Sequence, residues 1–326
     1  MIRWGLYGIG AIADKFASDF KAVEEGHIVA VYGRRKAAAD AFCKTHDILN
    51  CYCDEDDFFA DQSIDVVYVA TPHVLHSEVA MKALNAGKHV LCEKPFSMNE
   101  TQTKMVLETS QRNQKYVMEA LWTLFLPAVE QALAWIKEDK IGRVHLIEGS
   151  FGFHGSEDPS GRLMNPDLGG GALLDVGIYP LFMANAIAGG VPEKISAVSK
   201  FTKTGVDETT LVTSLYKNGL LAVTKTSIYL ELENDLVIYG DKGKIKIPSF
   251  WMAQEAFLIS ADQETHFHKS ESLYTGYQYE ARAVCKDILQ HKLENDRVTH
   301  QFTLALTQTL DRVRREIGLK YNKIES

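Results

Sequence analysis

One short stretch near the N-terminus restricts the fold of this chain more than any other. Ile2-Arg3-Trp4-Gly5-Leu6-Tyr7 has the composition of a strand, and Gly8-Ile9-Gly10-Ala11-Ile12-Ala13 follows it without a spacer. Ile12, Phe16, Phe20 and Val23 then recur at helical spacing, with Asp14, Lys15, Asp19 and Lys21 elsewhere on the helix. Strand, glycine turn and helix in the order G-x-G-x-x-A suit a pyrophosphate. Gly8 allows a tight turn, Gly10 lets a ligand approach the backbone, and Ala13 lets the helix sit close to the strand. The helix N-terminus adds unpaired N–H groups and a positive dipole end. A turn that binds nothing could carry the same residues. The placement between strand and amphipathic helix favours a dinucleotide, with Gly8, Ile9, Gly10, Ala11 and Ile12 around it.

The alternation continues. His27–Gly33 reads as a second strand, Ala37–His46 as a helix, Asp65–Ala70 as a continuous apolar strand, His76–Ala86 as a helix and His89–Cys92 as a buried strand. Asn99 caps a helix to about Asn113, and Tyr116–Ala120 is a further strand. Residues 1–122 are therefore expected to form a Rossmann-type, doubly wound parallel sheet, whose ligands bind beyond the strand C-termini. Gly8, Arg34, Thr71, His73, Glu93, Lys94 and Trp122 all fall at or just past such ends. At the end of the second strand, where a carboxylate would hold a ribose 2′-hydroxyl, stand Arg34, Arg35 and Lys36. Cations there suit a 2′-phosphate, so NADP is expected, with NAD possible. A solvated basic turn is the plainer alternative.

Past Pro127 the pattern changes. A helix at Ala128–Lys140 and a strand at Val144–Phe153 precede Gly169-Gly170-Gly171 and an apolar helix to Gly189. Strands at 195–201, 209–216, 221–228, 235–239 and 244–247 follow, joined by short turns such as Gly240-Asp241-Lys242-Gly243. Residues 123–326 are expected to be an α+β domain with a mostly antiparallel open sheet. Leu211, Leu215, Leu221 and Val223 among threonines are compatible with a homodimer face on that sheet.

The chain has 326 residues and a formal net charge of −8, which argues against nucleic acid or an anionic membrane as the main partner. No apolar run approaches a membrane span, and a cytoplasmic protein is expected. Five cysteines at 43, 51, 53, 92 and 285 suggest no disulfide framework. Cys51-Tyr52-Cys53 lacks zinc-knuckle spacing. His266-Phe267-His268 would put two imidazoles on one strand face, with no third ligand apparent, so no metal is expected.

Hydride transfer needs a substrate carbon held against a nicotinamide and a group to take the hydroxyl proton. Lys94, before Pro95, stands at a strand end and could hydrogen-bond the reacting oxygen or favour ionisation of a nearby phenol. Pro95 could follow a cis bond. Asp175 and Tyr179 are four residues apart and would share a helix face, although Pro180 should kink the helix or start a fresh turn there. A buried core tyrosine and a surface carboxylate fit these two positions as well as catalysis does.

Gly8–Ile12, Glu93-Lys94-Pro95, Glu119-Ala120-Leu121-Trp122 and Gly169 through Tyr179 together resemble the glucose–fructose oxidoreductase/inositol dehydrogenase (Gfo/Idh/MocA) family. The likeness is greatest to its dimeric dihydrodiol dehydrogenase and NADP-linked D-xylose 1-dehydrogenase branch, and it covers nearly the whole chain. The resemblance implies Lys94 as the active-site lysine, Tyr179 as proton donor and acceptor, Asp175 as a supporting carboxylate, Trp122 and Phe151 as substrate-pocket aromatics, and His76 near the cofactor. It implies an NADP-dependent dehydrogenase acting on a sugar or vicinal diol, and a homodimer. The branch often carries another basic residue shortly after Arg34. Here Ala37 and Ala38 follow, leaving Arg35 or Lys36 to replace it. A non-catalytic NADP-binding sensor on the same fold is the competing expectation.

Overall fold

A computed structural model of the chain describes residues 1–261, 263–269 and 274–321. The first compact unit comprises Met1–Trp122 with Glu271–Thr303, and the second Thr123–Ser270 with Leu304–Ser326.

The first unit holds six parallel strands: β1 (Ile2–Tyr7), β2 (Gly26–Tyr32), β3 (Asn50–Tyr52), β4 (Val66–Val69), β5 (His89–Glu93) and β6 (Val117–Ala120). Their order is β3-β2-β1-β4-β5-β6, reversing at β1, so a crevice opens where helices leave in opposite directions. Strands β4 and β6 are buried at every residue, as continuous apolar strands covered on both faces must be. Helix α1 (Ala11–Phe20) follows the glycine turn, and α2 (Lys36–His46), α3 (Glu55–Ala60), α4 (His76–Asn85) and α5 (Glu100–Asn113) complete the alternation. Asn99 accepts from the Gln102 N–H at 2.9 Å, the cap read from the sequence. The short edge strand β3 has too few residues for an alternation signal.

The sequence reading assigned everything after residue 122 to the second domain. The chain instead returns, because residues of the first unit include a later helix, Tyr277–Leu289, which packs on α1. Asp19 explains the return. Its buried carboxylate accepts from the Thr275, Gly276 and Tyr277 N–H groups and the Thr275 hydroxyl, at 2.6–3.1 Å. A residue that looks like part of a polar helix face is a cap for a helix more than 250 residues away.

The second unit is built on eight strands: β7 (Val144–Gly152), β8 (Lys194–Phe201), β9 (Asp207–Leu215), β10 (Leu221–Ser227), β11 (Leu236–Gly240), β12 (Gly243–Ile247), β13 (Glu255–Ser260) and β14 (Glu264–His268). Their order is β14-β13-β12-β11-β7-β10-β9-β8, antiparallel except for β10 on β7. Burial alternates along β9 and β10, leaving Leu211 and Leu221 outward with Val198 beside them. Helix α6 (Pro127–Lys137) opens this unit.

The segment Pro166–Ala188 is long and apolar enough to cross a membrane by composition, contrary to the expectation that no run approaches that length. Its most apolar window is 83% buried inside the protein, which makes it a core segment. It is not one helix. A π-helical turn at Leu173–Gly177 runs directly into an α-helix, α7 (Ile178–Ala188), whose third residue is Pro180, which offers no N–H to the preceding turn. The backbone stays helical through Ala172, Gly177 and Ile178, so the fresh start that Pro180 was expected to allow does not form, and the wider turn changes the simple i,i+4 relation between Asp175 and Tyr179.

Candidate functional site

Each unit contributes its own group of candidate residues. In the first, Gly8 has φ +117°, and a Cβ there would lie 2.4 Å from the Ala70 carbonyl oxygen. The turn is therefore closed against β4 by backbone that cannot move aside. Gly10 has the opposite surroundings: nothing lies within 4 Å of where its Cβ would be. No side chain caps α1, so its first N–H groups stay available, and Ala13 is fully buried under the helix. The Thr71 hydroxyl at the end of β4 is buried without a hydrogen-bond partner. An open cradle at Gly10, an uncapped helix N-terminus and an unsatisfied hydroxyl fit a dinucleotide in the crevice. Ile9, Ala11 and Ile12 belong to the same turn and helix start.

Arg34 and Arg35 are exposed, and neither makes an ion pair among the described residues. Lys36 is paired instead with Asp40 at 3.2 Å along α2, so of the three cations it is the one already engaged.

His76 is fully buried, with Nδ1 2.7 Å from the Pro95 carbonyl and Nε2 2.9 Å from the Thr71 carbonyl. Burial pushes its pKa down, and the two carbonyls push back. Rather than presenting its ring to a ligand, His76 holds the ends of β4 and β5 together. His73 packs edge-on against it at 5.7 Å between ring centroids.

Lys94 is half-buried, and its peptide with Pro95 is cis. Around this strand end lie three buried carboxyl groups. Glu93 accepts from the Tyr68 hydroxyl at 2.5 Å. Glu119 accepts from the Phe96 N–H at 2.9 Å. Glu280, on the returning helix, is fully buried, and neither of its oxygens has a hydrogen-bond partner. Burial, with the Glu93 charge added, pushes Glu280 well above the usual carboxylate range. Burial likewise raises Glu119 to about 8. Sequence reasoning missed Glu280 because it lies beyond the assumed boundary. A signal existed: with Asp287 it is one of two acids on the face that carries the apolar stripe of Tyr277, Ala281, Val284 and Ile288. Trp122 stacks on Tyr277 at 4.5 Å, so its ring too is set by the returning helix.

The Glu119 proton has a measurable consequence. The folded protein holds it up to about pH 8, whereas the ordinary value is 4.5. Folding therefore takes up a proton between these values, and the contribution to stability falls as pH rises through that window. A buried group shifted this far costs on the order of several kcal/mol by pH 8. Glu119→Gln keeps an acceptor for the Phe96 N–H and removes the titration. Thermal melts should show the variant about 4 °C or more above the parent at pH 8.5 and level with it at pH 5. Parallel melting at both values would mean that Glu119 does not titrate in the fold.

In the second unit, Asp175 sits in the π-helical turn and is nearly buried. Arg162, from the loop after β7, donates to it at 2.7 Å. Sequence reasoning left that loop unread, and Arg162 was missed with it. Gly171 has φ +117°, and a Cβ there would lie 2.2 Å from an Asp207 oxygen. Asp207 accepts from the Leu173 N–H and the Thr210 hydroxyl, each at 2.7 Å, and burial raises its pKa to about 6. The glycine run thus lets a buried carboxylate anchor the turn that carries Asp175 and Tyr179.

The Tyr179 ring meets Phe151 edge-on at 5.2 Å and Phe182 at 5.5 Å. Phe151 stacks on Trp251 at 4.3 Å, and the Trp251 carbonyl accepts from the Thr123 hydroxyl at 2.8 Å. Tyr179, Phe151 and Trp251 form an aromatic row. Trp251 sits in a three-residue helical turn, Phe250–Met252, that no periodicity marks, and it was not foreseen.

Comparison with known proteins adds family and fold. The profile described as an oxidoreductase family with an NAD-binding Rossmann fold matches residues 2–121, and the GFO/IDH/MocA C-terminal domain matches 129–246. The chain is 33% identical to a trans-1,2-dihydrobenzene-1,2-diol dehydrogenase of Danio rerio over 99% of this chain and 98% of that protein. The Homo sapiens protein of the same name is 29% identical over 98% of each. Among solved structures, a 3-ketoreductase from Actinomadura kijaniata in complex with NADP and TDP-benzene superposes with a TM-score of 0.88 at 24% identity, covering 97% of this chain and 98% of that one. An aldose-aldose oxidoreductase from Caulobacter crescentus complexed with glycerol gives 0.89 at 20% identity, covering 97% of each. At those identities the structural likeness speaks to the fold.

Proposed function

From the premise that this chain belongs to the GFO/IDH/MocA oxidoreductase family, we propose that it is an NADP-dependent dehydrogenase acting on a vicinal diol or sugar hydroxyl. The observation that carries the reading is the full-length identity to dihydrodiol dehydrogenases. The aromatic row beside the Tyr179 phenol supports it, since an apolar ring face would suit the ring of a cyclic diol.

The bound nicotinamide would supply a hydride acceptor. The Gly8–Ile12 turn and the Thr71 hydroxyl would hold the dinucleotide, with Arg34 and Arg35 on the 2′-phosphate. In diol oxidation the Tyr179 oxygen takes the proton of the reacting hydroxyl as hydride leaves the same carbon, and in the reverse direction it returns that proton. Lys94 hydrogen-bonds the reacting oxygen. Asp175, held by Arg162, orients the turn that bears Tyr179, and Trp122 and Phe151 border the substrate. Glu93 and His76 act from beneath, fixing the strand ends from which Thr71 and Lys94 project. No step in this scheme calls for a metal.

A panel of vicinal diols, aldoses and dicarbonyls, each assayed with both nicotinamide cofactors, tests the activity. Oxidation of a diol or aldose with NADP is the expected result. Nucleotide binding with no turnover on any member would favour a sensor. The cofactor preference has its own test: Arg34→Asp should weaken NADPH at least about tenfold more than NADH. Equal losses would remove Arg34 from the 2′-phosphate site.

The homodimer and the cytoplasmic location belong to the same proposal. The outward face around Val198, Leu211 and Leu221 is the proposed dimer surface, and light scattering reads the mass.

A further inference from the structure

Strands β13 and β14 form the outer hairpin of the second sheet, with β14 at its edge. His266 and His268 alternate on one face of β14, two residues apart. The register sets Glu255 directly opposite His268 and Phe257 directly opposite His266. Glu255 Oε2 therefore lies 3.0 Å from His266 Nε2 and 4.0 Å from His268 Nδ1. Among the described residues, these three form a group whose ligand atoms all lie within 4.8 Å of one another. Glu255 is the third group that the sequence did not reveal, because it is a neighbour across the sheet and distant along the chain.

We propose that Glu255, His266 and His268 form a binding site for a divalent transition metal of the zinc class, separate from the proposed dehydrogenase chemistry. Two imidazoles and one carboxylate are the donors that such ions prefer, and hard cations such as magnesium or calcium would require more oxygens. Tetrahedral zinc with bonds of about 2.1 Å needs its ligand atoms about 3.4 Å apart. The Glu255–His266 pair, at 3.0 Å, needs to open by only about 0.4 Å to reach that spacing, and a side-chain rotation at the exposed His268 brings in the third ligand. His266 is held ready: its ring lies flat on Phe257, 4.4 Å between centroids and 2° from parallel. All three side chains reach solvent, which gives the ion an entry path and leaves water for the fourth position. Glu255 begins β13 and His268 ends β14, so the ion would clamp the open end of the edge hairpin.

Titration of the full-length chain with zinc chloride, after removal of adventitious metal, tests this by equilibrium dialysis. One equivalent should bind. His268→Ala and Glu255→Ala should each weaken that equivalent at least about tenfold, since changes merely behind a ligand already cost that much. A double Cys51→Ser, Cys53→Ser variant should bind as the parent does, which excludes the exposed thiols. Cobalt should show the visible absorption of low-symmetry nitrogen and oxygen ligation in the parent and lose it in His268→Ala. Absence of a zinc equivalent, or one that survives loss of His268 and Glu255, would overturn the site. Failure of the dehydrogenase reading would leave these outcomes unchanged.

Discussion

Tyr179→Phe should lower kcat by about 10²- to 10⁴-fold, the range a positioned proton acceptor supplies, while NADPH affinity stays near that of the parent. The substitution removes one oxygen and keeps the ring. That ring packs against Phe151 and Phe182 and is almost wholly buried, so the apolar surface holding it in place is unchanged. Activity and binding should therefore separate. Steady-state assays with the best substrate of the panel, set beside a fluorescence titration with NADPH, give both readings. An unchanged kcat would place the proton transfer on another group. A joint loss of affinity and turnover would point to damage in the fold.

The second large effect concerns the two glycines of the N-terminal turn, which should fail in different ways. Gly8→Ala should destabilise the protein by about 2–4 kcal/mol, with a fall in Tm of about 5 °C or more. Its backbone sits at φ +117°, and the added carbon would meet the Ala70 carbonyl at 2.4 Å. Gly10→Ala should leave Tm unchanged. Gly10 has φ −76° and ψ 178°, which alanine adopts readily, and no atom lies within 4 Å of the new methyl. That methyl points into the space proposed for the pyrophosphate, so NADPH and NADH should both bind far more weakly. If Gly10→Ala binds either nucleotide as the parent does, the cradle is not where the phosphates lie. If Gly8→Ala melts normally, the turn is looser than its contact with β4 implies.

Local rules carried much of the architecture and little of the buried polar network. The parallel sheet was legible because β4, β5 and β6 are short apolar runs separated by amphipathic helices, a pattern set by neighbours in the chain. Asn99 was legible as a cap for the same reason. Asp19 was not. Its partners are Thr275, Gly276 and Tyr277, and a helical wheel shows only that it is charged. Glu280, Arg162 and Trp251 share that character, since each acquires its place from a contact remote in sequence or from an irregular turn. Asp175 and Tyr179 were singled out with the wrong local geometry. An α-helical spacing was assumed where a π-helical turn stands, and that turn is anchored by Asp207, more than thirty residues later. Glu255 shows the same limit in the sheet: strand alternation pairs His266 with His268, but only register adds the carboxylate.

The returning helix also governs the order in which this molecule can mature on the ribosome. Phe16 and Phe20, with Trp4 beneath them, line the flank of α1 that Tyr277 and its neighbours cover, and Trp4 Nε1 reaches Cys285 at 3.3 Å. A nascent chain that has emerged only as far as Trp122 has every strand of the first sheet, yet it must wait for more than 150 further residues before that flank is sealed. That segment is thus finished only after most of the later chain has been made. Any attempt to graft its nucleotide-binding module onto another protein must carry two separate pieces of polypeptide.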